Sequence, residues 1–254
     1  MRLNVYLQQA GVGSRREAER LVADGRVKVN GAVAAATVPV EEGDTVEVDG
    51  KRLSPATRAQ PRLFMLNKPL DVLVTAFDKQ GRPTIYDLPS LKPPAWDKSK
   101  PRVVYVGRLD VNSEGLLMLS SDGPLAQTMM SPDTALPRVY RVRVHGRLSE
   151  RHVELLRRGV TVQGVRYRSV EMVQETGHTT RSNTWYRVTL TEGKNREIRK
   201  LFEHFGCVVN RLIRLQYGPF HLGTLKAGEV KEVPPPDVAR LMRELVAAPV
   251  KINV

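Results

Sequence analysis

Three clusters in this 254-residue chain combine a potential reacting group with cations. The first is Gly107-Arg108-Leu109-Asp110-Val111-Asn112-Ser113-Glu114-Gly115, which places a carboxylate beside an arginine in a glycine-bounded loop ahead of the apolar run Leu116 to Leu119. A lone loop aspartate is ordinarily a turn former or cap. Asp110 differs in having Arg108 next to it on a tight loop that two buried strands would hold rigid, a common setting for chemistry. A carboxylate there could act as a nucleophile or stabilise a developing positive charge. The second cluster, Glu192 to Gly206, contains Lys194, Asn195, Arg196, Arg199 and Lys200. On a helix from Asn195 to Phe205, Ile198, Leu201, Phe202 and Phe205 share an apolar arc, Arg196 and Lys200 face solvent, and Arg199 lies at the border, within reach of a cleft. The third is Arg138 to Val144, where strand alternation puts Arg141 and Arg143 on one face and Tyr140, Val142 and Val144 on the other. Tyr140 is thereby expected on the apolar side.

These clusters need elements to carry them. Residues 3 to 24 hold two short helical patterns, the second opened by a Ser14-Arg15-Arg16-Glu17 capping box, with Ala18, Leu21 and Val22 on one face and Arg16 and Arg20 opposite. Gly25 stops that helix. Val27 and Val29 lead into an Asn30-Gly31 hairpin turn, and residues 44 to 50 read as a closing strand. Residues 51 to 62, with two prolines and no acid, read as a basic linker, so the boundary predicted is 1–60 against 61–254. Beyond it, strands are predicted at Leu63–Leu66, Val72–Thr75, Val103–Val106, Leu116–Leu119, Tyr140–Val144 and Trp185–Thr191, with helices at Ser149–Arg158 and Asn195–Phe205. Strands outnumber helices without alternating with them, so the fold class expected is α+β with a mixed, largely antiparallel sheet.

Composition narrows the partners. A net charge of +13 attracts polyanions and makes binding salt-sensitive. Arginine outnumbers lysine 28 to 12, which suits bidentate phosphate contacts. No run approaches the ~20 apolar residues of a membrane span, and the start lacks the apolar core of a secretory signal, so a cytoplasmic protein is expected. One cysteine, Cys207, and five scattered histidines show no metal-ligand spacing, and no phosphate-binding glycine loop is present. Nucleic acid is the expected partner and no metal is expected. Residues 1 to 50 carry six basic and eight acidic side chains, so RNA binding by this module rests on where Arg15, Arg16 and Arg20 are placed.

Together the motifs resemble the RsuA/RluB-type pseudouridine synthases, and within them most closely the group acting on large-subunit ribosomal RNA. Residues 1 to 50 are similar to S4 RNA-binding domains through Gly11-Val12-Gly13-Ser14-Arg15-Arg16-Glu17-Ala18 and Gly25 to Gly31. Gly81-Arg82-Pro83-Thr84, Val106 to Asn112 and Glu192 to Arg199 occur in the family's order. The resemblance implies a pseudouridine synthase fold that isomerises a uridine in ribosomal RNA; splayed bases make a structured stem-loop the expected substrate, the unchanged redox state and composition call for no cofactor, and a monomer is expected. It implies Asp110 as the catalytic aspartate, Tyr140 as the tyrosine against the uracil, and Arg199 as the basic partner of Asp110. RNA contacts are then expected from Arg15, Arg16 and Arg20 in the first module, and from Lys68, Arg108, Lys194, Asn195, Arg196, Lys200, Arg211 and Arg214 in the second. Two positions depart from the pattern. Many members have a glycine soon after the Lys68-Pro69 pair, where this chain has Asp71, and S4 domains often carry Asp-Lys near the start, where this chain has Asn4-Val5. A protein that only binds RNA would share the fold and the charge. Retention of Asp110, Tyr140 and Arg199 together argues against it.

Overall fold

The computed structural model describes residues 1–10, 12, 15–35, 38–53, 60–97, 100–176 and 182–247. It divides into two compact units, residues 1–60 and 61–254. The first contains α1 (Leu3–Gln9), α2 (Arg15–Ala23), β1 (Val27–Val29), β2 (Ala32–Val33), β3 (Val46–Val48) and β4 (Lys51–Leu53), with an antiparallel sheet in the order β2-β1-β3-β4. Asn30 and Gly31 both take positive φ, 52° and 82°, the geometry of a two-residue hairpin turn that sets Val29 opposite Ala32. Asp49 and Gly50 repeat it, so Lys51–Leu53, expected to begin the linker, instead form a fourth strand against β3. Leu3, Leu7, Ala18, Val27 and Val46 make the small core, and Asn4 ties α1 to α2 through a 2.9 Å bond to Glu19. Arg20 is exposed, with Asp24 3.8 Å away. The proposed cap at Ser14, the flanking Gly11 and Gly13, the side chains of Arg15 and Arg16, and linker residues 54–59 lie outside what is described.

The second unit runs β5 (Leu63–Lys68), β6 (Val104–Val106), β7 (Glu114–Ser120), α3 (Gly123–Met130), β8 (Arg138–His145), α4 (Glu150–Arg158), β9 (Thr161–Val162), β10 (Val165–Arg166), β11 (Glu171–Gln174), β12 (Asn183–Leu190), α5 (Glu197–His204), β13 (Val208–Tyr217), β14 (Phe220–His221), β15 (Val230–Glu232) and α6 (Pro235–Ala247). Its main sheet has the order β11-β12-β8-β13-β7-β5-β15, with β6 on β7 and β14 on β13. Every pairing is antiparallel except β7 with β13, so the sheet is mixed and largely antiparallel. Tyr140, Val142 and Val144 of β8 pack with Ile198, Leu201 and Phe202 of α5 in one core, and α3 and α6 contribute to a second around Leu116, Met118 and Tyr217.

Local expectations for the second unit are revised as well. Val72–Thr75 forms no strand; Val72 and Val74 insert into the core, but the segment's pairing is a single bridge from Leu73 to Thr84. The helix expected from Asn195 starts at Glu197, because Arg196 takes a left-handed backbone with φ 53°. Finally, the ten residues of β13 sit at the centre of the sheet, where no strand was expected. Register shifts between Val209 and Arg211 and between Arg214 and Gln216 break the two-residue alternation that betrays a strand in sequence.

The parallel pair of β7 and β13 brings Gly115 opposite Arg214. Gly115 has φ 103°, and a β-carbon there would lie 2.4 Å from Arg214 O and 2.7 Å from Arg214 N. Backbone cannot yield as a flexible side chain can, so this contact admits only glycine. It also fixes where the loop preceding β7 sits over β13 and over β8, since Arg214 pairs in turn with Tyr140. Gly115→Ala is therefore expected to destabilise the second unit by about 3 kcal/mol or more. The urea midpoint of the purified variant beside wild type measures it, and an unchanged midpoint would contradict the close approach.

Candidate active site

Asp110 lies in the loop from Gly107 to Ser113 between β6 and β7, and that loop is held from below. Ser113 N donates to Asp110 O at 3.0 Å, and Asp71 N donates to Val111 O at 2.9 Å. Asp71 has φ 61°, so it occupies the left-handed conformation that a glycine would supply, and aspartate is among the few residues that tolerate it. Lys68 was expected to touch RNA; it is instead completely buried. Its ammonium donates to Pro69 O at 2.8 Å and Ser113 O at 2.7 Å, cross-linking the end of β5 to the Asp110 loop. Burial pulls its pKa down to about 8, against the opposing pull of Asp71, Asp110 and Glu114.

Arg199, on α5, is 6% exposed. It donates from Nη1 to Val209 O and from Nη2 to Asn112 O, each at 2.9 Å, which pins the Asp110 loop to β13. Its Nε has no hydrogen-bond partner and lies 3.7 Å from Asp110 Oδ2. Desolvation pulls the Arg199 guanidinium below its ordinary pKa, and Asp110 pulls it back. Arg196 was expected to face solvent on the far side of the helix. Its left-handed backbone precedes the helix and carries the guanidinium over the site, with Nη1 3.5 Å from Asp110 Oδ2. Asp110 therefore faces two arginines, and both contacts are long for hydrogen bonds.

Asp110, Tyr140 and Arg199 line one cavity of about 200 Å³. A water takes about 30 Å³ of liquid, so this is room for a pyrimidine ring. Tyr140 is 8% exposed, with Leu212 and Ile198 also on the lining. Arg108, exposed, and Lys194 flank the opening with Arg196. Six cations in all, counting Arg138 and Arg214, line the cavity with only Asp110 and Glu197 as acids. Glu197 is buried and accepts a 2.9 Å bond from Lys194 N; burial raises its pKa to about 7. Lys194 pairs with Glu192, whose Oε1 accepts from Arg168 N at 2.8 Å.

The remaining expected RNA contacts are dispersed. Asn195 is exposed but does not line the cavity, Lys200 is half-buried on α5, and Arg211 is paired with Glu114 at 2.6 Å. Arg214 was expected to touch RNA from the surface; it is 2% exposed and belongs to the cavity wall. Arg138 and Glu197 were missed as cavity residues. Arg138 had a signal, since it has the same strand parity as Tyr140. Among the described residues no group of histidine, cysteine or acidic side chains could hold a metal, and no helix is long and apolar enough to cross a membrane.

Fold and sequence comparisons meet on one class. A crystal structure of pseudouridylate synthase matches with a TM-score of 0.64 over 95% of this chain and 99% of its own, at 22% identity, so the fold is shared. The RNA pseudouridylate synthase profile matches residues 62–204 and the S4 domain profile matches residues 1–46. An RNA pseudouridine synthase of uncharacterised role from Rickettsia felis is 38% identical over 91% of this chain and 96% of its own length. The chain belongs to the RNA pseudouridylate synthase family. The ribosomal large subunit pseudouridine synthase B of Xanthomonas axonopodis pv. citri is 40% identical over 96% of this chain; the chain spans 44% of that relative's length.

The buried Lys68 makes a pH test. A lysine whose pKa is lowered on folding, here from 10.5 to about 8, holds fewer protons folded than unfolded between those values. Its contribution to stability therefore rises with pH across that window and is lost as pH falls through about 8. Wild type is expected to gain stability relative to Lys68→Met as pH is raised through the window, measured by urea denaturation at each pH. A difference independent of pH would mean that the amine is not desolvated.

Proposed function

We propose that this chain isomerises a uridine of large-subunit ribosomal RNA to pseudouridine, with Asp110 as nucleophile and no cofactor. The observation that carries the reading is the convergence of Asp110, Tyr140 and the unpartnered Nε of Arg199 in one cavity sized for a base. The large-subunit assignment rests on likeness to ribosomal large subunit enzymes such as the Xanthomonas protein.

The residues suit the steps. A stacked uridine hides its sugar face, so the nucleotide is flipped out and its base laid against the Tyr140 ring. RNA stem-loops offer such splayed bases, and the cationic rim of Arg108, Lys194 and Arg196 supplies phosphate contacts. Asp110 attacks C1′ as N1–C1′ breaks, much as a carboxylate does in retaining glycosidases. Arg196 and Arg199 face the carboxylate at 3.5 Å and 3.7 Å, and these long contacts leave its oxygens free to bond carbon. The detached base turns on Tyr140 until C5 faces C1′, the C–C bond forms and the carboxylate leaves. Redox state and composition are unchanged, so the chemistry demands no cofactor. The S4 domain docks on the folded RNA and keeps the target near the cavity.

Asp110→Asn is isosteric but not an anionic nucleophile, so it is expected to keep the fold and RNA affinity and to lower the single-turnover rate by roughly 10⁴-fold or more. Pseudouridine mapping of ribosomal RNA treated with each protein, and of RNA from a strain lacking the gene, reads this out. Substantial turnover by Asp110→Asn would remove Asp110 from its role. Arg199→Ala is expected to act on the saturated rate, whereas Lys200→Ala changes the salt slope of binding by roughly one unit. Weakened RNA binding with a normal saturated rate in Arg199→Ala would make Arg199 a phosphate contact.

A further inference from the structure

The cavity wall opposite α5 contains two buried arginines that treat their donors differently. Arg138 of β8 and Arg214 of β13 both pack on the ring of Tyr217, with guanidinium carbons 4.9 Å and 5.1 Å from its centroid. Arg138, 4% exposed, spends its nitrogens on protein: Nη1 donates to Leu136 O at 3.3 Å, and Nη2 reaches Met129 O, Met130 O and the Tyr217 hydroxyl. Tyr217 completes the brace by donating to Met129 O at 2.9 Å. This is what a structural buried arginine looks like, with its donors matched to carbonyls.

Arg214 is at least as buried and is not matched. Nε donates to Leu116 O at 2.6 Å, its one hydrogen bond among the described residues, and Nη2 is buried with no partner. An unpartnered guanidinium nitrogen in a desolvated place is costly, so its retention points to a partner that arrives. The structure shows where that partner sits. Arg214 is directly cross-strand from Tyr140, and both line the cavity into which Asp110 faces. Gly115, beside Arg214 on the other flank, adds no side chain to compete for the space.

We propose that Arg214 binds the uracil itself, donating from its free Nη groups to a carbonyl oxygen of the base laid on Tyr140. This rests on the functional reading above and adds to it a residue for the leaving base. When N1–C1′ breaks, the bonding pair stays with the uracil as an anion spread over N1, O2 and O4, while C1′ bonds to the Asp110 oxygen. A guanidinium at one carbonyl oxygen stabilises that anion and keeps the free base in the cavity while it turns. C5 then attacks C1′, the C1′–O bond breaks and the carboxylate is released, C5 loses its proton to water, and N1 takes one up. Charge that develops on the base meets a donor already in place, the arrangement that contributes most in polar catalysis. Arg196 and Arg199 serve the carboxylate, and Arg214 serves the base.

The test uses the full-length protein with a large-subunit ribosomal RNA fragment that wild type modifies. Arg214→Lys and Arg214→Met are expected to lower the saturated single-turnover rate by roughly 100-fold, while the salt slope of RNA binding stays within half a unit of wild type. A slope reduced by about one, with a normal saturated rate, would make Arg214 a phosphate contact and overturn the assignment. Because Arg214→Met can also disturb the Tyr217 packing, a second measurement uses wild type with the target uridine carrying sulfur at O2 or at O4. Sulfur is a weak acceptor, so one of the two substrates is expected to react slowly with wild type, and Arg214→Lys is expected to lose that discrimination. Equal rates for both thio-substrates and native uridine would overturn the proposal with no variant involved. No pseudouridine formed by wild type in any ribosomal RNA would overturn the functional reading itself.

Discussion

Arg199 gives two of its nitrogens to backbone carbonyls, Val209 O on β13 and Asn112 O in the Asp110 loop, and leaves Nε facing Asp110 at 3.7 Å. That division ties α5, the central strand and the acidic loop together through one planar group, which a lysine could not do. At an effective dielectric of about 20 the attraction across such a separation is on the order of 4 kcal/mol, before the cost of desolvating the guanidinium is subtracted. The fork is therefore more than an ion pair. It sets the position of the carboxylate relative to the cavity, and the hydrogen bonds to carbonyls keep the arginine from collapsing onto its partner.

The loop is equally constrained from the opposite side. Lys68 reaches under it to Pro69 O and Ser113 O, Asp71 N reaches Val111 O, and Gly115 lets β7 come against β13 where any β-carbon would collide. These contacts carry no substrate chemistry. They constrain a short loop from several sides, and a reacting group on such a loop needs to be held to within about 0.5 Å of its working geometry. A buried ammonium is an expensive way to do it, since water is exchanged for carbonyl oxygens, but an ammonium offers several donors and so joins Pro69 O at the end of β5 to Ser113 O in the loop.

Charge is divided between the two units. Residues 1 to 50 have more acids than bases, so the positive excess of the whole chain lies beyond them, and part of it lines the cavity. Six cations around two acids make this cavity a place that attracts anions. Elsewhere arginines are neutralised in pairs, as Arg211 is by Glu114 and Arg141 by Glu175 at 2.7 Å, so the number of arginines in the sequence overstates how many are left to meet a polyanion.

What the sequence determined by itself was local and periodic. The Asn30-Gly31 turn, the helix running from Ser149 to its stop at Gly159, the strand carrying Tyr140 and the apolar arc of Ile198, Leu201 and Phe202 are all legible because neighbouring residues decide them. Asp110 and the Glu192 to Arg199 segment were legible as motifs. What only tertiary structure decided is where side chains end up when long-range contacts override local pattern. Two bulges hid β13, and with it the burial of Arg214; a left-handed backbone turned Arg196 from solvent toward Asp110; and Lys68, indistinguishable in sequence from a surface lysine, was drawn inside by carbonyls more than forty residues away. Hydropathy assigns a cation to the surface by default. Only the unpaired acceptors and the cavity created by folding make its burial favourable.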